Sequence, residues 1–137
     1  MKKEEFDFWQ DHSTNYLKMA FSYDHQEIIH NPDGVGERTG ECGDTVKIFL
    51  SVNSGLIQAV SFDNNGCLNT NACANAVAIL VEGQSLAGAW KLTPEDVVEY
   101  LKTLPKDHFH CAELVVGALY LALSSLDEAD KTSWKKL

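Results

Sequence analysis

Alternation of apolar and polar positions is clearest between residues 46 and 62. Val46, Ile48, Leu50 and Val52 alternate with Lys47, Phe49 and Ser51, the period-two pattern of a strand with one buried face. Ile57, Ala59, Val60 and Phe62 read as a second strand, and the short turn at Asn53-Ser54-Gly55 predicts that the two form an antiparallel hairpin. After Gly66-Cys67 the period becomes helical, with Ala72, Ala76, Ile79 and Leu80 sharing a face and Gly83 as the stop. Ser85 opens a short helix through Trp90. Thr93-Pro94-Glu95-Asp96 is a helix start with Thr93 at the N-cap and Pro94 at the first helical position, and Val97, Val98 and Leu101 form that helix's inner face. Leu104-Pro105 ends it. The last helix carries an apolar stripe of Cys111, Leu114, Val115, Ala118, Leu119 and Ala122, long enough to cover a sheet face. The polar stretch from Asp127 to Leu137 is expected to fray.

The N-terminal part is less regular. Phe6, Trp9, Tyr16, Leu17 and Ala20 fall at roughly helical spacing, so residues 1–22 read as an amphipathic helix or arm. A second short helix is expected over Tyr23 to His30, closed by the turn residues Asn31-Pro32-Asp33-Gly34. Asn31 to Glu41 then reads as a glycine-bearing loop. It lacks a lysine followed by Ser or Thr, which argues against a phosphate cradle, and it leads directly into Cys42.

Composition narrows the classes. A chain of 137 residues, 45% apolar, suits one compact domain. The formal charge of −9, without any basic patch interleaved with aromatics, argues against nucleic acid as a partner. Met1 to Gln10 has no apolar core of the kind a secretory signal needs, and the longest apolar run, about Ala72 to Val81, is too short to span a bilayer. The expectation is a soluble, cytoplasmic protein without a membrane partner. Its four cysteines are then expected to be reduced thiols.

Those thiols change the picture. Cys42-Gly43-Asp44 places a thiol and a carboxylate one glycine apart, just before the first strand of the hairpin. The hairpin would bring Cys42 to the same end of the sheet as Cys67, which stands at a helix N-terminus, where the helix dipole favours thiolate. His110 and Cys111 occupy the first turn of the last helix. Cys73 lies inside a helix and reads as core. Taken singly, each cysteine and His110 suits an inert packing role. Cys42, Asp44, Cys67, His110 and Cys111 taken together suit a metal site. No Cys-x-x-Cys pair is present, so neither a zinc ribbon nor a thioredoxin-type site fits, and no Glu follows a ligand in the manner of zinc deaminases. His12, His25 and His30 read as surface residues, while His108 stands near the site without belonging to a motif.

Gly40-Glu41-Cys42-Gly43-Asp44, Gly66-Cys67 followed by a small-residue helix, and His110-Cys111 resemble, in order and spacing, the three motifs of the IscU/NifU N-terminal family of iron-sulfur cluster assembly scaffolds. The resemblance runs from about Tyr23 to Leu126. It implies an α+β fold, a small antiparallel sheet of about three strands packed against several helices, with residues 23–126 as the scaffold domain, 1–22 as an arm and 127–137 as a tail. It further implies that Cys42, Cys67 and Cys111 are ligands of a transient [2Fe-2S] cluster, with Asp44 the group that makes the cluster labile and His110 the histidine before the third cysteine. Iron is the metal so implied, and zinc is expected to be able to fill the same donors. The implied partners are a cysteine desulfurase that supplies sulfur and apo iron-sulfur proteins that receive the cluster. The protein would then be a carrier rather than an enzyme.

Three departures from the family pattern stand out. Leu104-Pro105-Lys106-Asp107-His108 replaces the Leu-Pro-Pro-Val-Lys segment of members served by an Hsp70-type chaperone, which argues against such a partner. Cys73 has no counterpart in the better known members, and the chain stops after the first module of longer NifU-type proteins. The alternative is a zinc-dependent SufU-like sulfur acceptor. Those relatives carry an insertion for which the 44-residue interval from Cys67 to Cys111 looks too short.

Overall fold

The computed structural model describes residues 13–22, 29, 31–40 and 43–135, with side chains as far as Leu126. Helix α1 (Thr14–Phe21) is followed by strands β1 (Gly34–Thr39), β2 (Thr45–Asn53) and β3 (Leu56–Asn64). Then come α2 (Leu68–Val81), α3 (Leu86–Trp90), α4 (Pro94–Leu101), a 3-10 turn (Lys106–His108) and α5 (Phe109–Lys135). The sheet has three antiparallel strands in the order β1-β2-β3, so β2 is central. The expected α+β architecture is the one observed.

The hairpin forms as its alternation predicts. Ser54 and Gly55 both take positive φ, +56° and +80°, the backbone that joins twisted antiparallel strands with only two residues. Val46, Ile48 and Leu50 are buried together. A register irregularity between Ser51 and Val52 interrupts the strict alternation, and Val52 is only half-buried. Phe49, expected on the solvent side, is 8% exposed, with the Lys47 ammonium 5.5 Å from its ring centroid.

The segment expected as a loop is instead strand β1, paired with β2 from Gly34↔Leu50 to Thr39↔Thr45. Its alternating positions are Gly34 and Gly36, which carry no side chain to signal a buried face. They are buried because α5 lies directly on them: a Cβ on Gly36 would stand 2.2 Å from the Ala122 nitrogen and 2.3 Å from the Ala118 oxygen. The glycines serve close backbone approach between strand and helix, not loop mobility.

Helix α2 is buried on almost every side. Thr70, Ala72 through Ala78 and Val81 are buried, because α2 packs against α1, α4, α5 and β3 at once. The single face expected of it is therefore corrected: Ile79 is 42% exposed and Leu80 only half-buried. Small residues let four elements approach one helix, and its asparagines hold α1 in place. Asn71 Nδ2 donates to the Ala20 carbonyl (2.8 Å), Asn75 Nδ2 to the Met19 carbonyl (2.7 Å), and Tyr16 Oη to Asn69 Oδ1 (2.6 Å). Tyr16 and Ala20 face inward as the N-terminal spacing predicts, whereas Phe6, Trp9 and, except for Ile29, the helix expected over Tyr23 to His30 lie outside the described residues.

The two shorter helices start where their caps predict. Ser85 caps α3, accepting from the Gly88 N–H, and Thr93 and Asp96 close a reciprocal capping box on α4. α4 ends at Leu101, before Leu104-Pro105, because Lys102 takes a φ of +69°. On α5 the whole expected stripe from Cys111 to Ala122 is buried. Lys106–Leu126 is long and apolar enough to cross a membrane by length and composition alone, but its apolar face is the cover of β1 and β2. The polar segment expected to fray continues α5 as far as Lys135.

Candidate functional site

The site lies at the end of the sheet where β2 begins and β3 finishes. Thr45 and Asn65 lock that end: the Thr45 N–H donates to Asn65 Oδ1 (2.7 Å) and the Asn65 N–H to the Thr45 carbonyl (3.2 Å). Asp44 is thereby held beside the Gly66-Cys67 turn that starts α2. On the other side, the Gly40 N–H donates to the Asp44 carbonyl (2.8 Å), and Gly43 takes a φ of +91°, which a side chain would strain. Cys42 itself falls outside the described residues.

Cys67 is the N-cap residue of α2 and is exposed. It borders a cleft of about 290 Å³ lined by Ala20, Phe21, Asn64, Gly66, Leu68 and Asn71. Burial pushes its thiol pKa up, but the N–H and hydroxyl of Thr70 and the N–H of Asn69 favour the thiolate more, and the net shift is downward. Cys111 is 1% exposed. Its thiol is pushed up to about 11, chiefly by burial, with further repulsion from Cys67 and Asp44. His110 is exposed, with Nε2 3.7 Å from Cys111 Sγ, and its ring stacks on His108 at 5.7 Å.

Three of the expected residues converge on a residue that sequence reasoning missed. Thr70 Oγ1 stands 3.4 Å from Asp44 Oδ2, 3.5 Å from Cys111 Sγ and 3.8 Å from Cys67 Sγ. The pre-β2 turn, the start of α2 and the start of α5 thus meet around one hydroxyl. A signal was available: Thr70 is three residues beyond Cys67, on the same helix face. Among the described residues, no three His, Cys, Asp or Glu side chains already stand at metal-binding spacing. The donors that do converge, two sulfurs and a carboxylate oxygen, match the soft and hard ligands suited to iron or zinc.

Cys73 is kept apart from this chemistry. It is fully buried, and its thiol is pushed well above the usual range by burial, then by Cys111 and Cys67. Cys73→Ala is expected to cost about 1 kcal/mol of stability and to leave the spectrum of a reconstituted cluster unchanged. Loss of that spectrum in a folded variant would make Cys73 a ligand.

The model of the NifU-like N terminal domain family matches residues 23–133 of this chain. The chain belongs to that family. Among relatives of this NifU-like domain, the iron-sulfur cluster assembly scaffold protein IscU 1 of Archaeoglobus fulgidus is 32% identical over 96 residues, covering 69% of this chain and 63% of that protein. The nitrogen fixation protein NifU of a Nostoc species is 28% identical, covering 88% of this chain and 46% of its own length. The chain therefore spans less than two thirds of either relative. The IscU scaffold protein of Aquifex aeolicus is 29% identical over 77% of this chain and 76% of its own. Two solved structures share the fold. One, from Fervidobacterium islandicum, is described as a SUF-system iron-sulfur cluster assembly scaffold (TM-score 0.68, 16% identity, covering 85% of this chain and 99% of that one). The other is a NifU-like N-terminal domain from Brucella abortus (TM-score 0.67, 17% identity, covering 85% and 94%).

Proposed function

We propose that this NifU-like protein is an iron-sulfur cluster assembly scaffold, which builds a labile [2Fe-2S] cluster and passes it to apo-proteins. The observation that carries the reading is the meeting of Asp44, Cys67 and Cys111 around Thr70 at one end of the sheet. Relatives named as scaffolds support it. In this reading the cluster is cargo, and Cys42, Cys67 and Cys111 hold it by thiolate. The one remaining position falls to a harder, weaker donor, an oxygen of Asp44 or a nitrogen of His110. A carboxylate or imidazole binds iron less tenaciously than a thiolate does, so the same donors can assemble a cluster and release it.

Sulfur would arrive from a cysteine desulfurase. A thiolate of the scaffold attacks the terminal sulfur of the donor's persulfide, forms a new persulfide on the scaffold cysteine, and the donor cysteine leaves as thiolate. Of the described thiols, Cys67 suits that step, being exposed and shifted toward thiolate. An external thiol then supplies the two electrons that reduce each such sulfur to sulfide.

The test is anaerobic reconstitution of the full chain with ferrous iron, cysteine, a dithiol and a cysteine desulfurase. The expected result is a thiolate-to-iron charge-transfer spectrum with matched iron and sulfide, transferable to an apo-ferredoxin. Tight zinc binding and desulfurase stimulation without any cluster would instead establish the zinc-dependent sulfur acceptor. Asp44→Ala is expected to slow transfer to apo-ferredoxin several-fold while the cluster still forms. Transfer at an unchanged rate would remove Asp44 as the labile ligand.

A further inference from the structure

Thr70 is fully buried in the first turn of α2. A threonine hydroxyl buried in a helix ordinarily returns to a carbonyl of the preceding turn. The hydroxyl partners of Thr70 are instead Asp44, Cys67 and Cys111, each from a different part of the chain. It has one proton, so it donates to the carboxylate or to a sulfur, and its lone pairs are open to a thiol S–H. The neighbouring glycine belongs to the same arrangement. A Cβ on Gly66 would lie 2.7 Å from both the Cβ and the Oγ1 of Thr70, so any side chain there would displace the hydroxyl from its three partners.

We propose that Thr70 is the positioning residue of this site: its hydroxyl sets where the Asp44 carboxylate and the Cys111 sulfur stand before cargo arrives. The proposal rests on the scaffold reading for what the site holds, but the positioning itself is a property of the protein alone. A valine would fill the same volume and leave carboxylate and sulfur without their shared donor. A serine would keep it. Groups that orient ligands in this way typically govern metal affinity by about 10- to 100-fold.

The test compares the wild-type full chain with Thr70→Val and Thr70→Ser in two measurements, with thermal melts to show that each variant is folded. In anaerobic titration with Co²⁺, read by its thiolate charge-transfer band, Thr70→Val is expected to bind at least about tenfold more weakly. Thr70→Ser should remain close to wild type. In the metal-free protein, the amide resonances of Asp44, Thr45 and Cys111 should move in Thr70→Val by clearly more than in Thr70→Ser. Wild-type affinity in Thr70→Val, or an equal loss in Thr70→Ser, would overturn the proposal. If the wild type gives neither a thiolate-to-cobalt band nor a cluster on reconstitution, the scaffold reading fails and the metal-free comparison still decides Thr70: displaced amides sustain its role, and unmoved amides refute it. Should Thr70→Val not fold, Thr70→Ala carries the same comparison.

Discussion

Replacing Cys67 or Cys111 with alanine is expected to abolish the cluster in the anaerobic reconstitution, with iron and sulfide falling to background and the charge-transfer bands absent. Two remaining thiolates and one weaker donor fill only three of the four terminal positions on a pair of irons, so one iron is left with a single protein ligand and dissociates. The two variants should differ in stability. Cys67 is exposed, so its loss leaves the fold intact. Cys111 is buried, and its loss costs about 1 kcal/mol by opening a small cavity. Circular dichroism and a thermal melt separate ligand loss from unfolding. Cys42→Ala is expected to behave like Cys67→Ala. A folded variant that keeps a full cluster spectrum takes the substituted residue out of the ligand set.

The second large effect is on the fold. Gly36→Val is expected to destabilise the protein by more than about 3 kcal/mol, lowering the melting temperature by roughly 10 °C or more. Its Cβ would fall 2.2 Å from the Ala122 nitrogen and 2.3 Å from the Ala118 oxygen, both backbone atoms of α5, so strand and helix must part. Because Cys111 lies in the first turn of α5, the damage should reach the site, and any residual folded protein should bind Co²⁺ poorly. Gly117→Ala is the contrasting case. Its Cβ meets the guanidinium end of Arg38, a flexible and exposed group, and alanine favours the helix, so the change should be within about 1 kcal/mol of neutral. A Gly36→Val protein with a wild-type melt would show that β1 is not held against α5 as described.

The contrast between these glycines and the hairpin shows what pattern alone can reveal. Val46 to Phe62 announced two strands because large apolar side chains marked the buried face. The sequence of β1 reads as a loop because its buried positions are glycines, whose burial reflects how closely α5 approaches and leaves no hydrophobic signature. Helix α2 was legible as a helix but not in its facing, since a run of alanines does not distinguish one buried side from four. The caps of α3 and α4 were legible because their chemistry is local, confined to a few consecutive residues.

Local chemistry and linear order also made the site residues visible. Cys67 at a helix start, His110-Cys111 in a first turn and Asp44 before a strand follow from the sequence alone, as does membership of a family whose motifs they match. Tertiary structure decided what no spacing encodes. It made Cys67 exposed and thiolate-prone while Cys111 is buried and held as thiol, because one caps a surface helix end and the other faces the core. It also chose Thr70 as the meeting point. A hydroxyl joins Asp44, Cys67 and Cys111 only where the β2 turn, α2 and α5 are packed together, and that packing depends on glycines and alanines whose contribution is their small size.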